Sequence, residues 1–189
     1  MSEVLIITQR YLFKHIACTY IKIYILQMSL LIYPRNFNAC HLHFGTAVQN
    51  NDAADSKFSR IVYSTKHISF IGVGILVDLA GTQHDPHYNK VFVRFDPGHP
   101  DNKPLVSRLH DIECGIVGNY VNSVLGGTRR GVHSLRDQLN SGCIKAYVND
   151  HPGTIGRAAN APPSEFMLKI CGIWETKDEC GMTYKFIQC

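Results

Sequence analysis

Alternation of apolar and polar positions is the clearest pattern in the second half of the chain, and it predicts β-strands. In residues 90–95 (KVFVRF) the two valines and Phe95 fall on one face, while Lys90, Phe92 and Arg94 fall on the other. Other short apolar or alternating runs occur at residues 57–64, 67–79, 143–148, 166–175 and 182–187. The pattern therefore predicts about six strands.

Two of these runs have distinctive features. Residues 67–79 are almost continuously apolar and contain Gly72 and Gly74, which predicts a buried strand with a bend. Residues 166–175 and 182–187 flank a polar TKDECG segment, which is typical of a hairpin. We therefore expect the chain to end in a β-hairpin.

One helix is predicted after residues 96–104 (DPGHPDNKP), where three prolines and a glycine interrupt the strand pattern. Apolar residues recur at three- and four-residue spacing along one stripe: Leu105, Leu109, Ile112, Ile116, Tyr120 and Val124. Pro104 suits the first turn of such a helix. A second, short helix is predicted over residues 134–139, because residues 140–142 (NSG) are typical of a helix end. Residues 80–89, 96–104, 126–131 and 149–164 are predicted to be loops.

These elements define the fold class as α+β and β-rich. We expect a curved antiparallel sheet or a partly open barrel, similar in architecture to an oligonucleotide-binding (OB-like) barrel, with one or two inserted helices. A doubly wound sheet is disfavoured, because strands and helices do not alternate regularly along the chain.

The start of the chain differs from the rest. Residues 1–33 are apolar and aromatic, residues 34–56 are predicted to form a loop or linker, and residues 57–189 a single globular domain. A membrane span is disfavoured, because Lys22 lies within the apolar stretch. The first segment is interpreted as an appendage or an incorrectly assigned start, with packing on the domain and membrane targeting as the alternatives.

Composition limits the classes of partner. With 45% hydrophobic and 18% charged residues, the chain of 189 residues is expected to fold. The net charge is +4, of which residues 1–28 carry +2 (three cations less Glu3) and the remainder +2 (16 cations less 14 anions). Nucleic-acid binding would therefore require local clustering of cations, because bulk charge does not provide it.

Cysteine usage bears on the compartment. The seven cysteines are odd in number, irregularly spaced and without a C-x-x-C motif. This pattern argues against a secreted disulfide framework and predicts a reducing compartment, the cytoplasm or nucleus.

Two features suggest contact with phosphates and bases. Residues 126–131 (GGTRRG) combine glycines with Arg129 and Arg130, and they precede the short helix. Cations and aromatic residues also alternate on the strands, which is typical of surfaces that bind single-stranded nucleic acid. The strand residues predicted to bind are Lys90, Phe92, Arg94, Lys169, Trp174, Tyr184 and Lys185. The alternative is a strand buried on both faces with its cations extending to solvent.

Catalytic and metal chemistry have less support. His84, Asp85 and His87 place three donors in one loop, but their spacing matches no known metal site, and we expect exposed turn residues there. Neither a G-x-S-x-G nor an H-E-x-x-H motif occurs. We therefore expect neither a cofactor nor a catalytic residue.

Three functions remain, in order of preference. The first is non-enzymatic, sequence-tolerant binding of single-stranded DNA through aromatic stacking and phosphate contacts. The second is a structural, coat-like β-domain that forms homo-oligomers through its aromatic surfaces. The third is a metal-dependent enzyme that uses the histidine-rich loop.

Overall fold

The computed structural model describes residues 31–50, 55–88, 90–147 and 165–188. Within them, twelve strands join into a sheet and two α-helices pack on it. The strands are β1 (Leu31–Ile32), β2 (Leu42–Phe44), β3 (Val48–Gln49), β4 (Lys57–Ser64), β5 (Ser69–Ile71), β6 (Val73–Asp78), β7 (Gln83–His87), β8 (Lys90–Arg94), β9 (Arg130–Val132), β10 (Cys143–Tyr147), β11 (Glu165–Glu175) and β12 (Glu179–Gln188). The helices are α1 (Asn102–Ser123) and α2 (Ser134–Asn140), and 3-10 turns cover Pro34–Asn36 and Ala39–His41.

The predicted C-terminal hairpin forms the centre of the sheet. The main path through the sheet runs β1-β6-β11-β12-β10-β8-β7, and β4 joins β11 and carries β2, β3 and β5. Most pairings are antiparallel, while β12 also has the parallel neighbours β9 and β10. The described strands form an open sheet with two helices, which confirms the α+β, β-rich fold class. The OB-like comparison stays a prediction.

The predicted bend in the apolar run lies at Gly72. This residue has a φ of +77° and separates β5 from β6. A side chain there would also collide with the sheet, because an added Cβ would lie 2.9 Å from the carbonyl oxygen of Ile170. Glycine therefore supplies both the backbone conformation and the close approach of β6 to β11.

Both helices cover one face of the sheet, which we call the helix face. Most of the stripe predicted for α1 is buried there: Leu109, Ile112, Ile116 and Tyr120 are almost fully inaccessible. Burial of each such aliphatic side chain contributes about 1.5–3 kcal/mol. The two ends of the prediction differ, because Leu105 is half-buried and Val124, which follows the last residue of α1, is 49% exposed.

The fully buried Glu113 points from α1 to the start of α2, where its two carboxylate oxygens accept the Leu135 and Arg136 amides at 2.9 and 2.8 Å. This carboxylate fixes the two helices to each other.

Several predicted loops contain strands. Within residues 80–89, β7 pairs with β8, so the prediction of a loop throughout this range was wrong. The sequence QHDPH carries Pro86, which is tolerated because β7 lies at an edge of the sheet and one side of its backbone needs no partner. Likewise β9 forms at the end of the predicted loop 126–131, and β2 and β3 form within residues 34–56. The predicted loop 149–164 and residues 1–30 lie outside the described residues.

Candidate nucleic-acid interface

Alternating burial defines the sheet face that is turned away from the helices. In β8, Val91 and Val93 are buried, whereas Lys90, Phe92 and Arg94 point to the opposite side. β10 shows the same alternation, with Ile144 and Ala146 buried. We call this second side of the sheet the basic face. Its residues in the centre of the sheet are Lys90, Phe92, Arg94, Lys145, Tyr147, Met167, Lys169, Lys185 and Ile187.

A β-bulge brings the two predicted contacts of β11 to the same side. The register of β11 against β12 shifts between Ile170 and Gly172. Ile170 and Ile173 are consequently both buried on the helix face, although they are an odd number of positions apart in the strand. Lys169 and Trp174, which would point in opposite directions in a regular strand, both lie on the basic face.

Three lysines lie side by side across the centre of the basic face. Lys169 of β11 pairs directly with Lys185 of β12, and the register that pairs Ala146 with Phe186 places Lys145 of β10 level with Lys185. Phe92 of β8 continues the same line, because it pairs with Lys145. We call Lys145, Lys169 and Lys185 the lysine row.

Two members of the lysine row, Lys145 and Lys185, repel each other in the isolated protein. Like charges directly opposite one another on neighbouring strands are destabilising. Among the described residues, neither Lys145 nor Lys185 has a carboxylate within ion-pair distance. The acidic side chains of this face lie at its margins: Asp78 pairs with Glu165 at one corner, and Asp85 lies on the edge strand β7. The centre of the face therefore attracts anions.

A second row, two residues further along the strands, is apolar and aromatic. Met167 pairs with Ile187, which is level with Tyr147, and Tyr147 pairs with Lys90. The Nζ atoms of Lys90 and Lys145 lie 5.7 and 5.6 Å from the centre of the Tyr147 ring. We call Met167, Ile187 and Tyr147 the apolar row; Met167 and Tyr147 are half-buried, whereas Ile187 is buried with 7% of its surface exposed. It lies about 7 Å from the lysine row, since a strand advances about 3.3 Å per residue.

Two further rings lie on the basic face near the other end of β11. Trp174 pairs with Phe58 of β4 across the strands. Each ring covers a glycine: an added Cβ on Gly181 would lie 2.7 Å from the Trp174 ring, and one on Gly172 would collide with the Phe58 ring. These glycines allow the rings to lie flat against the sheet.

The two loop arginines form ion pairs within the protein. Arg129 lies 3.0 Å from the carboxylate of Glu175, and Arg130 is paired with Glu179. The side chain of Glu175 is buried, and the Tyr120 hydroxyl donates to it at 2.8 Å. Arg129 therefore balances a buried charge, and the loop is not brought to the lysine row.

The start of α2, which the sequence suggested as an anion site, already holds an anion. Its backbone amides donate to the Glu113 carboxylate. The N-terminus of α2 thus already has a negatively charged partner within the protein. It is therefore not a free site for a phosphate, although a basic loop followed by a helix is typical of one in sequence.

Tyr184 lies on the helix face. Its hydroxyl donates to the Gln138 side chain of α2 at 2.9 Å. Burial raises the pKa of this hydroxyl above its usual value. The ring is therefore part of the packing between β12 and α2, and the structure does not bring it to Lys185, its neighbour in sequence.

The three donors suggested for a metal point to different sides. His84 stacks on Phe166 on the helix face at 6.0 Å between ring centres, and burial lowers its pKa. Asp85 and His87 lie on the other side, 3.3 Å apart. In the described ranges, no group of three histidine, cysteine or acidic side chains is arranged to hold a metal ion.

Of the predicted binding residues, the structure brings together Lys90, Phe92, Arg94, Lys169, Trp174 and Lys185 on one face. Sequence reasoning missed Lys145 and Tyr147, although the alternating run 143–148 (CIKAYV) carried the signal. Their place at the centre of the face depends on the pairing of β10 between β8 and β12.

No helix in the described part of the chain is long and apolar enough to cross a membrane. Comparison of the chain with protein-family models, with curated proteins and with solved structures finds no match.

Proposed function

We propose that the protein binds single-stranded nucleic acid, DNA in particular, on the basic face and without strong sequence preference. The observation that carries this proposal is the lysine row beside the apolar row. Lys145 and Lys185 carry like charges side by side on adjacent strands, and a polyanion would relieve their repulsion. Neutralisation of the row by phosphates explains why such an arrangement is present.

The two rows suit the two parts of a nucleotide. The sugar–phosphate chain would run across the strands along Lys169, Lys185 and Lys145. The bases would lie over the half-buried Met167 and Tyr147, on either side of the buried Ile187. The cation–π contacts now made by Tyr147 are each worth about 0.5–1 kcal/mol at an exposed site. A stacked base contributes about 1–3 kcal/mol, which is comparable to the two cation–π contacts together, so the base can replace them on the ring while the freed ammonium groups pair with phosphates.

Single strands fit this surface better than duplexes. Phe92 and Tyr147 present rings on a sheet, and rings stack on base faces that a duplex keeps covered by its own stacking. A duplex would contact the lysine row through phosphates alone. Lysines and apolar rings do not distinguish one base from another by hydrogen bonds, so the binding is sequence-tolerant.

The test is a titration of labelled single-stranded and duplex oligonucleotides, DNA and RNA, followed by fluorescence anisotropy at several salt concentrations. The critical variant is the double substitution Lys145→Gln and Lys185→Gln. A matched control is Lys66→Gln and Lys177→Gln, which removes the same charge from exposed turn positions. Melting curves of both variants establish that they fold.

The expected result is tighter binding of single strands than of duplexes, with a marked loss of affinity in the double variant only. Neutralisation of three to five phosphates predicts a slope of log K against log salt of about −2 to −3.5 for single strands. Equal affinities of the double variant and its control would refute the proposal. Light scattering on the same samples tests the competing assembly function, which predicts that the double variant changes the oligomeric state instead.

A further inference from the structure

The connection between β7 and β8 presents a fully exposed tyrosine. His87 pairs directly with Lys90, so only residues 88 and 89 join the two strands. The side chain of Tyr88 is completely accessible to solvent. A large aromatic ring at such a position contributes nothing to the core, and its hydrophobic surface is left in water.

The backbone of Tyr88 is also in an unfavourable conformation. Its φ is +49°, in the left-handed region, and it is the only residue other than glycine with a positive φ in the part of the chain that the structure describes. Glycine and asparagine adopt this region readily, whereas a bulky aromatic residue does so at a cost. Neither packing nor turn geometry accounts for tyrosine here.

The position of Tyr88 relates it to the apolar row. Tyr147, Lys90 and His87 lie level on neighbouring strands, and Tyr88 follows His87 directly. Tyr88 therefore lies next to this line, just past the ends of β7 and β8 in the strand direction. Strained residues that are retained in exposed loops occur preferentially at ligand-binding positions.

We infer that Tyr88 stacks on the base at one end of the bound strand and so closes that end of the apolar row. This inference rests on the proposed function, since it assigns a further contact to the same site. Bases over the apolar row lie flat on the sheet, and the tip of the β7–β8 hairpin supplies a ring next to that row, past the ends of the two strands. Tyr88 is thus a binding residue that contributes affinity but no folding energy.

The experiment compares Tyr88→Asn, Tyr88→Trp and the wild type in binding a short single-stranded DNA. Asparagine removes the ring but tolerates the left-handed conformation, whereas tryptophan keeps a stacking surface. Tyr33→Asn is the control, because Tyr33 is another exposed tyrosine. Melting temperature is measured for every variant, and a fluorescent base analogue at either end of the oligonucleotide reports stacking.

The expected result is a loss of about fivefold or more in affinity for Tyr88→Asn, with an unchanged or higher melting temperature. Tyr88→Trp restores the affinity and the stacking signal at one end only, and Tyr33→Asn binds as the wild type does. Wild-type affinity in Tyr88→Asn would overturn the inference while leaving the proposed function intact. A large fall in its melting temperature would also overturn it, because Tyr88 would then be a packing residue. Absence of binding by the wild type would overturn both.

Discussion

Substitution of Lys185 by glutamine should weaken binding and stabilise the protein at the same time. Lys185 is the middle member of the lysine row, with Lys169 paired to it on one side and Lys145 level with it on the other. Glutamine keeps most of the length of the side chain and removes its charge. A substitution that merely damaged the fold would lower stability and affinity together. A variant that is more stable but binds more weakly therefore shows that the charge of Lys185 serves binding.

The gain in stability follows from Coulomb's law. Neighbouring strands are about 4.8 Å apart, and lysine side chains diverge, so we take the charges to be about 7 Å apart. In water this separation gives a repulsion of about 0.6 kcal/mol, which physiological salt reduces to about 0.3 kcal/mol. Lys145 is such a neighbour, so neutralisation of Lys185 should stabilise the protein by about 0.3 kcal/mol. For a chain of this size that is a rise of about 1 °C in melting temperature.

The loss of affinity follows from counterion release. One phosphate contact contributes about 0.7 to the slope of log K against log salt. If the contact contributes nothing at 1 M salt, its loss lowers the affinity about fivefold at 0.1 M salt. Lys177→Gln, at the exposed turn of the same hairpin, is the matched control and should change neither property. The assay combines thermal melting at low and high salt with anisotropy titrations. Equal affinities of Lys185→Gln and Lys177→Gln for single-stranded DNA would refute this prediction. A lower melting temperature of Lys185→Gln than of the wild type would also refute it.

Three further predictions concern the scaffold. Glu113→Ala should destabilise the protein by about 2–3 kcal/mol in urea denaturation, because two amides at the start of α2 lose a charged acceptor. A loss of stability below about 0.5 kcal/mol, as for a surface substitution, would contradict this prediction. Gly172→Ala should destabilise the protein and displace the ring of Phe58, seen as a lower melting temperature, whereas unchanged melting would show that the close approach is not needed. Because burial raises the pKa of Tyr184 in the folded state, the stability of the wild type should fall as the pH rises above about 10. Tyr184→Phe should lose less stability between about pH 9 and pH 11. Parallel curves of stability against pH for the two proteins would exclude this contribution.

The periodic part of the fold could be predicted from the sequence. Periodic spacing of apolar residues depends only on the local geometry of a strand or helix. The alternation in residues 90–95 accordingly predicts β8, and the apolar stripe that begins at Leu105 predicts α1, each to within a few residues of its bounds. β7 was not predictable in the same way. Its sequence, QHDPH, has no strand-like pattern, and it forms a strand because β8 offers an edge with which it pairs.

The candidate site depended on information that local patterns do not contain. Lys169 and Trp174 share a face only because of the bulge at Cys171, which no periodicity announces. Lys145 meets Lys185 through the parallel pairing of β10 with β12, across 40 residues of chain. Conversely, Tyr184 is adjacent to Lys185 in sequence, but it points to the helix face.

Ultraviolet crosslinking of a short thymine-rich single-stranded DNA, followed by mapping of the crosslinked residues by mass spectrometry, tests the location of binding directly. The account predicts crosslinks to Phe92 and Tyr147 on the basic face, and their loss in the double variant Lys145→Gln and Lys185→Gln. Crosslinks confined to the helix side, at Tyr184 or in residues 126–131, would contradict it.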